Sequence, residues 1–191
     1  MYVEPDCDSG EMEEMDVLTH VFLPLTLIYV VRRDFDEKLF PLALFAVLPD
    51  FDVFTGIHRG LFHSLVFLAP LSALIIGVEY AVSKRLRYSP IALFFLYSHL
   101  ALDFLAGGVP FLYPFVELGV GVEFPFVIKF GGSVSIVDVV PKLVYCYPQP
   151  VHGEVNAFSG FGVASALLFV AVYWSIGRQR RSSETKRSLE R

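Results

Sequence analysis

Five apolar runs, at residues 17–31, 39–54, 61–82, 90–106 and 158–176, limit what this chain can fold into more than any other feature. A helix in a water-soluble fold hides one apolar stripe and gives its other face to solvent, whereas a helix that is apolar all round belongs in a large core or a membrane. Five such helices in a chain of 21.4 kDa exceed what one small core encloses. With 54% hydrophobic and 18% charged residues and a mean hydropathy of +0.57, the composition points the same way. The expected fold class is an all-α polytopic membrane protein of about five hydrophobic helices, with membrane lipids as its surroundings.

Crossing about 30 Å of hydrocarbon takes about 20 helical residues. The third and fifth runs meet that length, while the first two are short and are expected to tilt, re-enter or thin the bilayer. Ser89 before Pro90 reads as a helix cap followed by a first-turn proline, and Pro41 sits near the start of the second run. The residues ahead of the first run are acidic (Glu11, Glu13, Glu14, Asp16) where a cleavable signal would carry Lys or Arg, so this run is expected to stay in the mature protein. Met15 stands just before it and offers a second start position beside Met1.

Lys and Arg are retained on the cytoplasmic side of a membrane. With the N-terminus outside, the inside segments hold Arg32, Arg33, Lys38, Lys84, Arg85, Arg87, Arg178, Arg180, Arg181, Lys186, Arg187 and Arg191, twelve of the 15 basic residues. Only Arg59, Lys129 and Lys142 fall outside. This bias predicts a multi-pass membrane protein, N-terminus outside and C-terminus cytoplasmic; the placement in the inner (plasma) membrane of a prokaryote is implied only by the family resemblance given below. Three units follow: an acidic N-terminal extension (1–16), a membrane helical domain (17–176) with an outside loop at 107–157, and a basic, solvated and mobile cytoplasmic tail (177–191). Within the loop, the β-prone segments 126–130 and 133–139 flank Gly131 and Gly132, which is a hairpin signature, so a small outside cap of short strands is expected. A net charge of -5 offers no basic field for nucleic acid. Cys7 and Cys146 allow at most one disulfide and lack the spacing of a zinc knuckle. Oligomeric state is not legible.

Ionisable residues inside apolar runs are costly and point to function. Here they are His20, Asp50, Asp52, His63, His99 and Asp103, with His58 in the loop between the second and third runs. In the orientation above, all seven lie toward the outside ends of their segments. His99 and Asp103 are i and i+4 on one helix face, so one imidazole and one carboxylate face one ion. Pro49 interrupts the second run just before Asp50 and Asp52, which are expected on non-helical backbone lining a wet pocket. His58 and His63 bracket the tight link His58-Arg59-Gly60-Leu61-Phe62-His63-Ser64 at its mouth. Singly, His20 and His58 are equally ordinary packing residues, and Asp50 and Asp52 equally ordinary helix-end groups. Their collection on one side is what indicates a metal site.

Mixed imidazole and carboxylate ligands suit a divalent transition metal, zinc first and manganese or iron next, as one or two ions. Thr19 and Ser64, each beside a histidine, are candidate hydrogen-bonding supports. Glu79 near Lys84 reads as a snorkelling surface carboxylate, His152 near Glu154 as a surface residue, and Tyr113-Pro114-Phe115 as interface aromatics.

The motifs Thr19-His20, Leu48-Pro49-Asp50-x-Asp52, His58-Arg59-Gly60-x-x-His63-Ser64, Ser98-His99-x-x-x-Asp103 and the stretch ending Tyr113-Pro114-Phe115 resemble the YdjM-like family of membrane-bound metal-dependent hydrolases, over about residues 15–115. That resemblance implies a multi-pass inner-membrane hydrolase. The order His, Asp, His, HxxxD is more distantly similar to the zinc-dependent phospholipase C and P1 nuclease group of all-helical phosphodiesterases. Carried over, Asp50 (or Asp52), His63, His99 and Asp103 would hold one ion, and His20 with Asp103 would share a second. The further His and HxxxE helix that complete a third site there have no counterpart here.

The expected function is cleavage of a phosphoester, such as a lipid or lipid-linked substrate, at the extracytoplasmic face. Asp52 or His58 would act as base and Arg59 would contact the phosphate. The alternative is a non-catalytic metal-binding or metal-transporting membrane protein, which would place polar ligands along a path to both faces.

Overall fold

The computed structural model of the chain describes residues 16–32, 36–123, 127–130, 134–138, 140–150 and 159–189. Helix α1 (Val17–Val31) is followed by a 3₁₀ helix (Glu37–Val47), a second 3₁₀ helix (Pro49–Thr55), strand β1 (Ile57–His58) and a one-turn 3₁₀ helix (Leu61–His63). Then come α2 (Leu65–Ser83), α3 (Ser89–Ala106), strands β2 (Gly119–Glu123), β3 (Val127–Phe130), β4 (Val134–Asp138), β5 (Lys142–Cys146) and β6 (Gln149–Pro150), and α4 (Gly160–Leu189).

Helix α3 is the central element. It packs on α1, on the first 3₁₀ helix, on α2 and on β2, while α1 lies along α4. One core joins Leu25, Ile28 and Tyr29 of α1 to Ala43 and Ala46, to Ile91 and Phe95 of α3, and to Phe169 of α4. A second, smaller core sets Leu68 of α2 against Leu96 and Leu100 of α3 and Val109 beyond it. Among the described residues three segments, Leu65–Ser83, Ser89–Ala106 and Gly160–Gln179, are long and apolar enough to cross a membrane, and α1 is a shorter apolar helix. Most of α2 and α4 faces outward, with Leu74, Val78, Leu167 and Val170 exposed.

The second run departs from expectation: it is two 3₁₀ helices and not an α-helix, and Asp50 and Asp52 sit on the second of them. The break falls at Pro49, which has no N–H to continue an α-helical ladder, and Leu48 N and Phe51 N instead bond three residues back, to Phe45 O and Leu48 O, at 3.3 and 3.2 Å. A 3₁₀ helix rises about 2.0 Å per residue against about 1.5 Å for an α-helix, so this short run reaches further into the molecule than its length suggests. Helix α4 continues without a break to Leu189, through most of the segment 177–191.

Glu79 is not a free surface carboxylate. Its oxygens accept the N–H groups of Arg87 and Tyr88 (both 2.8 Å) and of Ser89 (2.7 Å), and the Ser89 hydroxyl, capping α3 from the end of α2. Asp16 does the same work at the opposite end. Its buried carboxylate accepts Thr19 N (2.9 Å), Thr19 Oγ1 (2.8 Å) and Ser159 N, which ties the start of α1 to the start of α4.

The strands form three antiparallel pairs, β1 with β6, β2 with β5 and β3 with β4. The β3–β4 pair is the hairpin expected from the sequence, although its Gly131–Gly132 turn lies outside the described residues. Strand β2 closes over the end of α3: a Cβ on Gly121 would collide with the backbone of Gly107 and Gly108, so only glycine permits this approach. Cys146 of β5 is buried and disulfide-bonded. Cys7, Met15 and His152 lie outside the described residues.

Candidate metal centre

Four separate elements deliver polar side chains to one buried point. His20 comes from α1, Asp50 and Asp52 from the second 3₁₀ helix, Arg59 and His63 from the link that follows, and His99 and Asp103 from α3. His20, Asp52, Arg59, His63, His99 and Asp103 are all buried, and the side chain of Asp50 is 22% exposed. The side chain of His58 lies outside the described residues; its backbone pairs with Gln149.

Asp103 is the hub. Its Oδ2 lies 3.0 Å from His99 Nε2 and 3.1 Å from His63 Nε2, and its Oδ1 lies 3.5 Å from His20 Nε2 and 3.4 Å from Arg59 Nη2. The two imidazoles also face each other, His63 Nε2 to His99 Nε2 at 3.1 Å, and Asp50 Oδ1 stands 3.3 Å from His99 Nε2.

The far nitrogens of these imidazoles explain why the near ones converge. His99 Nδ1 donates to the carbonyl of Ala46 at 2.6 Å. That carbonyl ends the first 3₁₀ helix, and its donor three residues on would be Pro49, which has no N–H, so the same proline that stops the helix releases an acceptor for His99. His63 Nδ1 donates to Asp52 Oδ2 at 2.9 Å. With both protons on Nδ1, both Nε2 atoms present lone pairs, and these point at each other and at a carboxylate oxygen.

In these tautomers three acceptor atoms meet at 3.0–3.1 Å, an arrangement relieved by a proton on one Nε2 or by a cation among them. Tetrahedral coordination with metal–ligand bonds of about 2.0–2.1 Å puts neighbouring ligand atoms about 3.3 Å apart, and the spacings here are 3.0–3.3 Å. Charge agrees with geometry. Asp50, Asp52 and Asp103 bring three negative charges against one positive charge on Arg59, a deficit that a divalent cation cancels. Two overlapping triads converge within ligand reach, Asp50 with His63 and His99, and His20 with His99 and Asp103; since Asp103 Oδ2 also lies against His63 and His99, the set of Asp50, His63, His99 and Asp103 fits a transition-metal ion.

Asp52 does not join that set. Both of its oxygens are engaged, with Gly60 N at 2.9 Å, Phe62 N at 2.9 and 3.0 Å, and His63 Nδ1 at 2.9 Å. It stands behind His63, orienting it, and neither faces the ligand atoms nor has a lone oxygen to take a substrate proton. The Arg59 guanidinium lies against Asp103, and its backbone takes the left-handed conformation (φ 53). Thr19 and Ser64 do not touch the histidines: Thr19 bonds Asp16, and Ser64 Oγ donates to the carbonyls of Phe111 (3.0 Å) and Tyr113 (2.6 Å), anchoring the loop after α3. The participation of the Ala46 carbonyl was missed from sequence, although the Pro49 signal that frees it was legible.

No curated protein and no solved structure matches the chain. A family model described as YdjM inner membrane protein matches residues 15–182, and the chain belongs to that family of inner-membrane proteins.

Proposed function

We propose that this protein is a metal-dependent hydrolase of the inner membrane, cleaving a phosphoester of a lipid or lipid-linked substrate at the extracytoplasmic face. The observation that carries this reading is the pair of Nε2 lone pairs 3.1 Å apart, each fixed by a bond from the opposite nitrogen and joined by Asp103. Asp50, His63, His99 and Asp103 would hold the ion, most suitably zinc. Such an ion supplies a Lewis acid to a phosphoryl oxygen and acidifies water.

The chain's own residues then divide the remaining work. Asp50, the partly exposed member of that set, is the ligand that would give way to a water from its exposed side and take its proton, leaving three protein ligands on the ion. Asp52 and the Ala46 carbonyl hold His63 and His99 in place. Arg59 holds the Oδ1 side of Asp103 with its guanidinium, leaving Oδ2 turned to the histidines.

The orientation draws support from several features. Twelve of the 15 basic residues fall on one side, and Arg178 stacks 3.8 Å above the Trp174 ring at the inner end of the α4 span, as an interface anchor does. The disulfide-bonded Cys146 suits the oxidising side, on the same side as the site. A groove of about 880 Å³ between α1 and α3, lined by Leu23, Leu27, Val30, Phe94, Leu102 and Leu105, flanks the two helices that carry His20, His99 and Asp103 and suits an acyl chain. Transport of the ion is the weaker reading, because the ligand groups gather at one level and do not mark a path across.

The test is metal analysis of the detergent-purified protein beside a His99→Ala, Asp103→Ala double variant, followed by assay of the metal-loaded protein on lipid phosphoesters. A transition metal retained by the wild type and lost in the variant, with hydrolysis that follows the metal, is the expected result. Metal without hydrolysis across phosphomonoester and phosphodiester lipids would leave a binding protein. No metal after supplementation with zinc and manganese would overturn the reading.

A further inference from the structure

The two oxygens of Asp103 serve different neighbours. Oδ2 faces His63 and His99, both of which are oriented from behind by an acceptor. Oδ1 faces His20 and Arg59. The second ion suggested by the resemblance would sit on this Oδ1 side, between His20 and Asp103, and three observations oppose it.

The first is His20 itself. A histidine that ligates a metal almost always donates its other ring nitrogen to a carboxylate, carbonyl or water. His63 and His99 do so, whereas His20 Nδ1 is buried with no hydrogen-bond partner among the described residues. Its ring instead stacks on His99, centroids 3.8 Å apart and planes 22° from parallel, as a wall of the site.

The second is the ligand count. His20, His99 and Asp103 do converge within ligand reach of one another, but His99 Nδ1 is taken by Ala46 and its Nε2 is closest to Oδ2, at 3.0 Å, so it serves the Oδ2 side. An ion on Oδ1 would have two protein ligands of its own, fewer than the three that catalytic zinc sites keep.

The third is charge. A guanidinium is positive at every physiological pH, and that of Arg59 already lies 3.4 Å from Oδ1, held there by a buried residue whose backbone is in the sparsely populated left-handed region. One divalent ion brings the sum of Asp50, Asp52, Asp103 and Arg59 to zero, and a second would leave a buried excess of two positive charges beside a fixed cation.

We propose that the centre holds one metal ion, on the Oδ2 side of Asp103, and that the Arg59 guanidinium occupies the Oδ1 side in place of a second ion. Arg59 is then a positioning residue that sets the metal count, and this inference rests on the metal-centre reading above. The bridging carboxylate of a two-metal enzyme becomes a carboxylate shared between one ion and one arginine.

Zinc and cobalt stoichiometry of the full-length protein in detergent tests this, with equilibrium dialysis followed by elemental analysis. The wild type, Arg59→Lys and His20→Gln are each expected to saturate at one equivalent, and Arg59→Gln to admit a second. Two equivalents in the wild type, or loss of the single ion in His20→Gln, overturn the proposal. So does Arg59→Gln saturating at one. Zero equivalents in the wild type, with the fold intact by circular dichroism, refutes the metal centre as a whole and is thereby told apart from an error in the count. His20→Gln keeps the proposal open to refutation should Arg59→Gln fail to fold.

Discussion

Replacing Asp52 tests whether it orients a ligand or is one. Its carboxylate accepts Gly60 N, Phe62 N and His63 Nδ1, all within 3.0 Å. In Asp52→Asn the side chain keeps one acceptor oxygen and turns an NH₂ toward a former donor. If that NH₂ faces His63, the imidazole must move its proton to Nε2, the atom aimed at the ligand set. Metal affinity should then fall about 10- to 100-fold, the usual effect of losing such a support, which is about 1.4–2.7 kcal/mol. Asp52→Ala goes further and leaves three donors without an acceptor, at about 1–3 kcal/mol each where water cannot reach. Since the Phe62 N–H is only partly buried, about 3 kcal/mol is a fair total. For a chain of this size that lowers Tm by about 6–12 °C. Competitive zinc titration against a chelator reads the first effect and a thermal melt in detergent the second. Wild-type affinity in Asp52→Asn would refute the orienting role. Loss as complete as in the His99→Ala, Asp103→Ala double variant would make Asp52 a ligand and refute it from the other side.

Three further outcomes follow from the fold. Glu79→Ala removes the cap on α3 supplied from α2, and because that link is largely exposed the expected cost is about 1 kcal/mol, a drop of about 2–4 °C in Tm with zinc stoichiometry unchanged; a change in stoichiometry would show the cap reaches the site. Burial works to raise the Asp16 carboxyl, but N–H groups of Ser159 and Thr19 outweigh it and hold it below its ordinary value. A depressed carboxyl stabilises the fold above its unfolded value of about 3.9 and loses that contribution as pH falls through the folded value, so melts from pH 6 to 3 should steepen in the wild type and flatten in Asp16→Asn. Gly121→Ala forces β2 off the backbone at Gly107, with an expected loss of about 1–3 kcal/mol; an unchanged melting temperature would show that the strand is not seated there.

Much of the site was legible because membrane surroundings make polar residues conspicuous. His20, Asp50, Asp52, His63, His99 and Asp103 stand out against apolar neighbours, and the structure brings them to one point. Their division of labour was not legible. Asp50 and Asp52 look alike in sequence, but on a 3₁₀ helix residues two apart point about 120° from each other, so one reaches His99 and the other reaches behind His63. Thr19 and Glu79 misled for a related reason: their partners, Asp16 in one case and the N–H groups at 87–89 in the other, are backbone-capping relationships that hydropathy does not record. The second run could not be told from an α-helix by composition, because the signal that decided it was one missing N–H at Pro49. The tail reads as solvated by composition, yet a helix already propagating from α4 adds one bond per residue at little cost.

The bonds from Asp52 span only 8, 10 and 11 residues, so they close a small ring of chain without help from any distant element. Ordering so short a loop carries a modest entropic penalty, and its three bonds are internal to one connection between helices. His63 is therefore presented by a short connection shaped by its own bonds and, through β1, by pairing with β6. In small zinc modules, by contrast, capture of the ion and folding of the chain are one event. On the metal-centre reading the two would be separated: the ion would meet a cup already formed, and uptake and release would be matters of ligand exchange at its rim.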